Sequence, residues 1–366
     1  MEFKIGRDQF LEGLAKAQGV VERKNTMPVL SNILIEADKS NIKLTATDLE
    51  VAYVSKIPAH VIQTGQATLP CRNLHDIVRE MNLTDIHLSL KENNRVEIKG
   101  GTSQFNIPSL PATEFPSLPQ VEGESVELSC SVIANMIEKT AFAMSVDETR
   151  HHLAGILLEK GDGDTFRMVA TDGHRLALID QDVSVEKLKS VRVIIPKKGV
   201  GELRKLVSKE GSFELALGDK NLCARKGNES LYIRLIEGDF PDYNRVIPKK
   251  SEKIATLPRT KFIGALRRVS LLANERSRGI VVSLSSGMVE ISINNPDLGE
   301  AREEFDMDYR GENVKIGFNA KYFLDGLDVI KDDTVTLSFQ GDLAPCILRA
   351  HTKDPGFLYV IMPMRI

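Results

Sequence analysis

Few side chains in this 366-residue chain have the type and spacing that chemistry requires. The histidines that invite attention are His151-His152 and His174. Adjacent residues on a strand point to opposite faces, so His151-His152, read as part of a strand, is poor geometry for holding one metal ion. Four cysteines (Cys71, Cys130, Cys223, Cys346) stand far apart, with no C-x-x-C pair and no histidine at metal-binding distance, and read as reduced, buried thiols. Glu303-Glu304 and Asp332-Asp333 are adjacent carboxylates of the kind that stay solvated. No phosphate-binding Gly-rich loop, H-E-x-x-H, G-x-S-x-G or dinucleotide fingerprint occurs. Catalysis, a metal and a cofactor are therefore not expected.

Binding is what remains. The formal charge is only −3, so a polyanionic partner must be met by a local patch. Arg72, Arg79, Lys197, Lys198, Arg204, Lys205, Arg267 and Arg268 gather on or near expected helices. Two readings stay open: ordinary solvated helix faces, or a surface for a sequence-blind phosphate backbone. The chain has no Trp and no aromatic interleaving of the kind that single strands use. Its apolar ending, Tyr359-Val360-Ile361-Met362-Pro363-Met364-Arg365-Ile366, is either a last strand or an adaptable partner surface rich in Met. Met1-Glu2-Phe3-Lys4-Ile5 alternates like a strand and does not resemble a signal peptide, and no apolar run is long enough to span a bilayer. A cytoplasmic location is expected.

The elements that would carry these residues repeat. Met168 to Ile179 reads as two strands joined at Asp172-Gly173, a turn favoured by a glycine that accepts positive φ. Leu44-Thr45-Ala46-Thr47-Asp48 echoes it 124 positions earlier, and Ile291-Ser292-Ile293-Asn294-Asn295 echoes it 123 later. Each copy opens with a strand and an amphipathic helix. The helices bury Phe10, Leu11 and Leu14, then Ile133, Met136 and Ile137 behind a Ser131 N-cap, then Phe262, Ile263 and Leu266. Extended segments Val29–Ile35, Leu153–Leu158 and Gly279–Leu284 follow. A second helix then starts near Arg72, Lys198 and Lys321, each with a carboxylate four residues on (Asp76, Glu202, Asp325) suited to an i,i+4 ion pair. Two copies end in a Phe-Pro segment, with polar runs Gln120–Ser125 and Lys249–Lys253 as linkers. The fold class is α+β: three repeated domains, 1–120, 121–250 and 251–366, each with two helices on antiparallel sheets.

Three stretches carry a resemblance: Thr171-Asp172-Gly173-His174-Arg175-Leu176-Ala177, Phe240-Pro241-Asp242-Tyr243-Asn244-Arg245-Val246-Ile247-Pro248, and Met362-Pro363-Met364-Arg365-Ile366. With the threefold repeat, they resemble the bacterial β sliding clamp family, the processivity subunit of DNA polymerase III. The resemblance implies a head-to-tail dimeric ring around double-stranded DNA that slides without catalysis. It also implies a cleft for a short linear peptide from the polymerase III alpha subunit, the clamp loader delta subunit, other polymerases and repair proteins. Carried over by motif, that cleft comprises Leu153, Thr171, Gly173, His174, Arg175, Leu176, Pro241, Arg245, Val246, Val360, Ile361, Met362, Pro363, Met364 and Arg365. His174, Arg175, Arg245 and Arg365 would be its polar fixers. Glu50-Val51 stands where the second repeat has His174-Arg175, which implies one cleft per chain. DNA contacts fall on Lys24, Arg72, Arg150, Lys197 and Lys198, and the dimer seam on Phe105, Ile107, Leu271 and Leu272. The chain departs from the family in having histidines at 151–152, where aromatics are common, and Lys24 in place of an arginine.

Overall fold

The structure is a computed structural model that describes all residues except 22–26, 122–124, 148, 162–164, 184–190, 249–252, 275–276, 342, 353–355 and 366. Lys24, Ile366, half of the first expected linker run and most of the second lie outside the described residues. Among the described residues there are six α-helices: α1 (Arg7–Val20), α2 (Cys71–Glu80), α3 (Cys130–Thr140), α4 (Lys197–Leu206), α5 (Arg259–Val269) and α6 (Ala320–Val329). The chain forms two compact units, one of Met1–Ile133 with Lys198–Leu235, the other of Ala134–Lys197 with Ile236–Ile366.

In the first unit, a five-stranded sheet runs His60–Gln63, Glu2–Gly6, Asp85–Leu90, Arg95–Gly100, Ser103–Pro108. An eight-stranded antiparallel sheet runs Ser125–Ser129, Ser212–Leu217, Asn221–Lys226, Glu229–Arg234, Val51–Pro58, Asn41–Thr47, Asn32–Asp38, Gly65–Pro70. Strands of two sequence repeats thus share one sheet, joined where Leu231 pairs with Tyr53. Val51 to Ser55 are all buried, as a strand covered on both faces requires. α1 buries Phe10, Leu14, Ala17 and Val20 at helical spacing, and α2 buries Cys71, Leu74 and Val78.

The second unit repeats the plan. A four-stranded sheet runs Gly299–Asp306, Met288–Asn295, Gly279–Ser285, Val314–Asn319. An eight-stranded sheet runs Arg192–Pro196, Gly155–Lys160, Thr165–Thr171, Arg175–Asp182, Phe357–Ile361, Cys346–Ala350, Thr334–Phe339, Lys253–Pro258. Here α6 comes so close to the last strand that a Cβ on Gly326 would lie 2.5 Å from the Tyr359 ring, so only glycine fits.

One backbone bond marks all three repeats. The first residue of a helix donates its N–H to the carbonyl just before a later strand: Arg7 to Thr84 (2.8 Å), Cys130 to Gly211 (2.9 Å) and Arg259 to Asp333 (2.8 Å). Two of these residues do more. Arg7 donates through Nε to Val78 O (3.3 Å) and through Nη2 to Arg79 O (2.7 Å), and Arg259 donates through Nε to Leu327 O (2.8 Å). These carbonyls belong to the last turns of α2 and α6, which lack partners within their own helices.

Several expectations need correction. Ser131 lies inside α3 and its Oγ meets Ser129 Oγ at 2.9 Å, so it is not the N-cap. Pro28–Ser31 and His151–Leu153 are single 3-10 turns, and the strands begin only at Asn32 and Gly155. Leu11 and Ile263 are half-buried rather than core. Of the three expected i,i+4 ion pairs, Lys321–Asp325 is present at 2.6 Å. In the other repeats Asp76 pairs with Arg79 (3.2 Å), Glu202 with Lys205 (2.7 Å), and Lys198 with Asp48.

Candidate functional site

The Thr165–Thr171 and Arg175–Asp182 strands form the expected hairpin, and its turn is held by side chains. Asp172 Oδ1 accepts the backbone N–H of His174 (2.9 Å) and Arg175 (3.1 Å). Thr171 Oγ1 donates to Arg175 O (2.6 Å) and accepts from Gly173 N (3.1 Å). The first repeat copies this atom for atom. Asp48 Oδ1 accepts from Glu50 N (3.0 Å) and Val51 N (2.7 Å), while Thr47 Oγ1 donates to Val51 O (3.0 Å) and accepts from Leu49 N (3.0 Å). Gly173 has φ +89°, and Leu49 takes φ +79° in its place. The Thr-Asp pair, and not the glycine, makes this turn.

The repeats diverge at Arg175, where the first has Val51. Arg175 is buried, donating through Nε to Asp172 Oδ2 (3.0 Å), through Nη1 to Asp325 Oδ2 (2.5 Å) and through Nη2 to Phe142 O (2.6 Å). Its guanidinium also lies 4.7 Å from the centre of the Tyr322 ring. Burial works against its charge, but Tyr359, Asp325 and Asp172 outweigh that and hold its pKa above the ordinary arginine range.

Beside the turn opens a cavity of about 130 Å³, lined by Leu153, Thr171, Gly173, Arg175, Leu176, Pro241, Asp242, Tyr243, Val246, Val360 and Met362. Behind it Leu153, Leu157, Val169, Leu176, Leu178, Ile194, Phe240, Tyr243, Ile347, Leu358 and Val360 form one buried apolar cluster. The other expected cleft residues are not part of this lining. His174 is exposed and stacks on Tyr322 (6.5 Å between centroids), and Arg245 is exposed and paired with Asp242 at 3.0 Å. Met364 donates its N–H to Gly317 O (2.9 Å), Pro363 is half-buried and Arg365 exposed. Ile361 is fully buried and pairs with Arg175 and Cys346, which makes it sheet core.

The expected DNA residues are less uniform. Arg72 and Lys197 are exposed at the starts of α2 and α4. Lys198 is tied to buried Asp48. Arg150 pairs with Asp147 (3.2 Å) and donates to Asp172 O (3.0 Å), so it braces the turn beside the cavity. At the expected seam, Phe105 (39% exposed) and half-buried Ile107 sit on the edge strand of the five-stranded sheet. Leu271 is 79% exposed in the 3-10 turn Ser270–Leu272, whereas half-buried Leu272 is anchored by its carbonyl, which accepts Asn295 Nδ2 (2.9 Å).

Among the described residues no cluster of His, Cys, Asp and Glu is placed to hold a metal, and no helix is long and apolar enough to cross a membrane. All four cysteines are buried and unbridged, and burial pushes the Cys71 and Cys346 thiols up to about 12.

Comparison with known proteins decides the family. Profiles for the DNA polymerase III beta subunit match residues 1–119 (N-terminal domain), 127–242 (central domain) and 244–365 (C-terminal domain). The beta sliding clamp of Pseudomonas aeruginosa is 36% identical over 370 residues, that of Pseudomonas putida 37% over 370, each alignment covering both chains fully. A crystal structure of the Pseudomonas aeruginosa DNA polymerase III subunit beta superposes with a TM-score of 0.96 at 36% identity, covering all of both chains. One of the Caulobacter crescentus beta sliding clamp does so at 0.96 and 35%, again over all of both chains.

The chain belongs to the bacterial β sliding clamp family. It is a processivity factor of DNA polymerase III, a non-catalytic subunit that works in DNA replication with DNA and polymerase as partners. Its three clamp domains carry the six helices on antiparallel sheets. The Phe-Pro motif contains Asp242 and Tyr243, which line the cavity in addition to the residues expected from sequence. Residue type alone does not separate wall from linker there. The separating fact is what the Tyr243 hydroxyl reaches, 76 and 84 positions away.

Proposed function

We propose that two copies of this clamp close head to tail around duplex DNA, and that the cavity beside the Thr171–Arg175 turn receives an apolar anchor of a partner's linear peptide. The cavity itself carries this reading: about 130 Å³, with Leu153, Leu176, Val246, Val360 and Met362 in its lining. A dry apolar cavity near 150 Å³ holds one benzene-sized group, so one leucine-like side chain is the natural occupant. His174, Arg245 and Arg365 are exposed and would supply polar contacts to a peptide backbone. Peptides from the polymerase III alpha subunit, the clamp loader delta subunit, other polymerases and repair proteins would use this one site in turn. Exposed Arg72 and Lys197 lead the DNA contacts, with Lys24, Arg150 and Lys198 as the remaining expected positions. Phe105 and Ile107 of one copy would meet Leu271 and Leu272 of the other. Three domains spanning 1–120, 121–250 and 251–366 fit this use, as does a cytoplasmic setting.

Topology is the test. Once loaded, the protein should stay on a nicked circular plasmid through gel filtration and be lost after the plasmid is linearised. Equal retention on both forms would overturn the ring and leave a scaffold that recruits partners without encircling DNA.

A further inference from the structure

Residues 240–246 form one wall of the cavity, and the registers of the second unit's eight-stranded sheet explain what holds that wall in place. Thr171 pairs with Leu176 and Leu176 with Val360, which places a first row of side chains at the cavity. Two residues along, Leu157, Val169 and Leu178 form an apolar row. Two further along, the same face carries charges of alternating sign on four adjacent strands: Arg192, Glu159, Arg167 and Asp180. Arg167 grips Asp180 in two-pronged fashion (Nε–Oδ1 2.6 Å, Nη2–Oδ2 2.7 Å), and Arg192 meets Glu159.

The wall crosses all three rows. Phe240 and Tyr243 are buried over the apolar row, their rings 6.5 Å apart and edge to face. The Tyr243 hydroxyl then reaches the charged row, donating to Glu159 Oε1 and accepting from Arg167 Nη1 (3.1 Å). Arg192 Nη2 also donates to Phe240 O at 3.4 Å. Burial, then the Glu159 bond, raises the Tyr243 pKa, so the phenol keeps its proton and remains a donor.

We propose that Tyr243 is a positioning residue of the peptide cleft: its hydroxyl, fixed between Glu159 and Arg167, holds the Phe240–Val246 wall at the separation from Leu176 and Val360 that keeps the cavity open. This rests on the peptide-cleft reading above. Without the hydroxyl the ring stays buried, but the wall can slide over an apolar row that has no directional preference. A ligand must then order it on binding.

Tyr243→Phe, which loses the hydroxyl's bonds to both Glu159 and Arg167, should weaken a fluorescein-labelled nonapeptide bearing leucine and phenylalanine anchors by about five- to tenfold, because the wall's order and not a ligand contact is lost. Glu159→Gln, whose amide oxygen still accepts the hydroxyl, should bind within about twofold of the parent, whereas Glu159→Leu, which removes that acceptor, should weaken binding severalfold. The Tyr243→Phe/Glu159→Leu double variant should lose clearly less than the sum of the two single losses, because both changes remove the Tyr243–Glu159 bond. Additive losses would overturn the proposal. So would unchanged affinity in Tyr243→Phe, or an equal affinity loss in Phe262→Leu, a core variant away from the wall, at matched melting temperature. Amide exchange at residues 243–246 supplies a readout without peptide: it should accelerate in Tyr243→Phe while strand Gly155–Lys160 is unchanged, and unchanged exchange overturns the device. Failure of the parent protein to bind the peptide would strike the cleft reading instead, and exchange would still decide whether the hydroxyl orders the wall.

Discussion

Arg175 belongs to a binding surface and to a core at once. It lines the cavity, yet its donors face Asp172, Asp325 and a backbone carbonyl, and its plane lies over Tyr322. A lysine keeps the charge but has neither the planar fork nor the reach to serve three acceptors in fixed directions. Arg175→Lys should therefore cost about 2–3 kcal/mol by urea denaturation, below the roughly 3–5 kcal/mol of removing a buried partner outright. Peptide affinity should fall with it, since the turn carrying Gly173 loses its brace. At this scale the place of the turn was legible in Asp172-Gly173, although the bonds that close it come from the Thr171 and Asp172 side chains. The polar fixing role expected of Arg175 was not, because whether a guanidinium faces a ligand or its own protein depends on Asp325, 150 positions away. Lys198 turned inward for the same reason, toward Asp48.

Helices were the elements most readily read, since apolar spacing of three and four residues needs no tertiary information. Their ends were less so. Pro28 opens a 3-10 turn where a strand was expected, and Leu153 donates its N–H to Arg150 O (2.8 Å) and closes another. Such turns leave the apolar pattern of the neighbouring strand intact and so do not disturb its signature. The arginines that cap a neighbouring helix could not be recognised from spacing at all. Arg7 and Arg259 satisfy the end carbonyls of α2 and α6, while Cys130 holds the corresponding place in the middle repeat. Replacing Arg259 with methionine keeps the apolar stem and removes the charged donor. It should cost about 1–2 kcal/mol, with faster amide exchange confined to the last turn of α6. Arg7→Met, which removes two such bonds, should cost more.

For the whole molecule, sedimentation equilibrium is the decisive measurement of assembly. The proposed ring predicts a mass near twice the 40.6 kDa chain at micromolar concentration. Leu271→Asp should shift the population toward monomer without changing the melting of a dilute sample, since that residue is already 79% exposed in the single chain. A persistent monomer in the parent protein would remove the ring. The threefold repeat was legible because a recurring helix and hairpin leave a period in the sequence. That strands of successive repeats would merge into shared sheets was not, because pairing partners leave no mark at either position.

Those shared sheets set a timetable for synthesis. Tyr53 finds its acceptor Glu229 only when 176 further residues have been made, and the strand around it has no partner on that side until then. At about 5–20 residues per second, the wait is roughly 10–35 s. Throughout it, a strand that is buried in the finished protein presents bare backbone donors and acceptors on the ribosome. A nascent chain of this kind needs shelter during translation, so its yield should respond to elongation speed and chaperone supply more than its final stability would suggest.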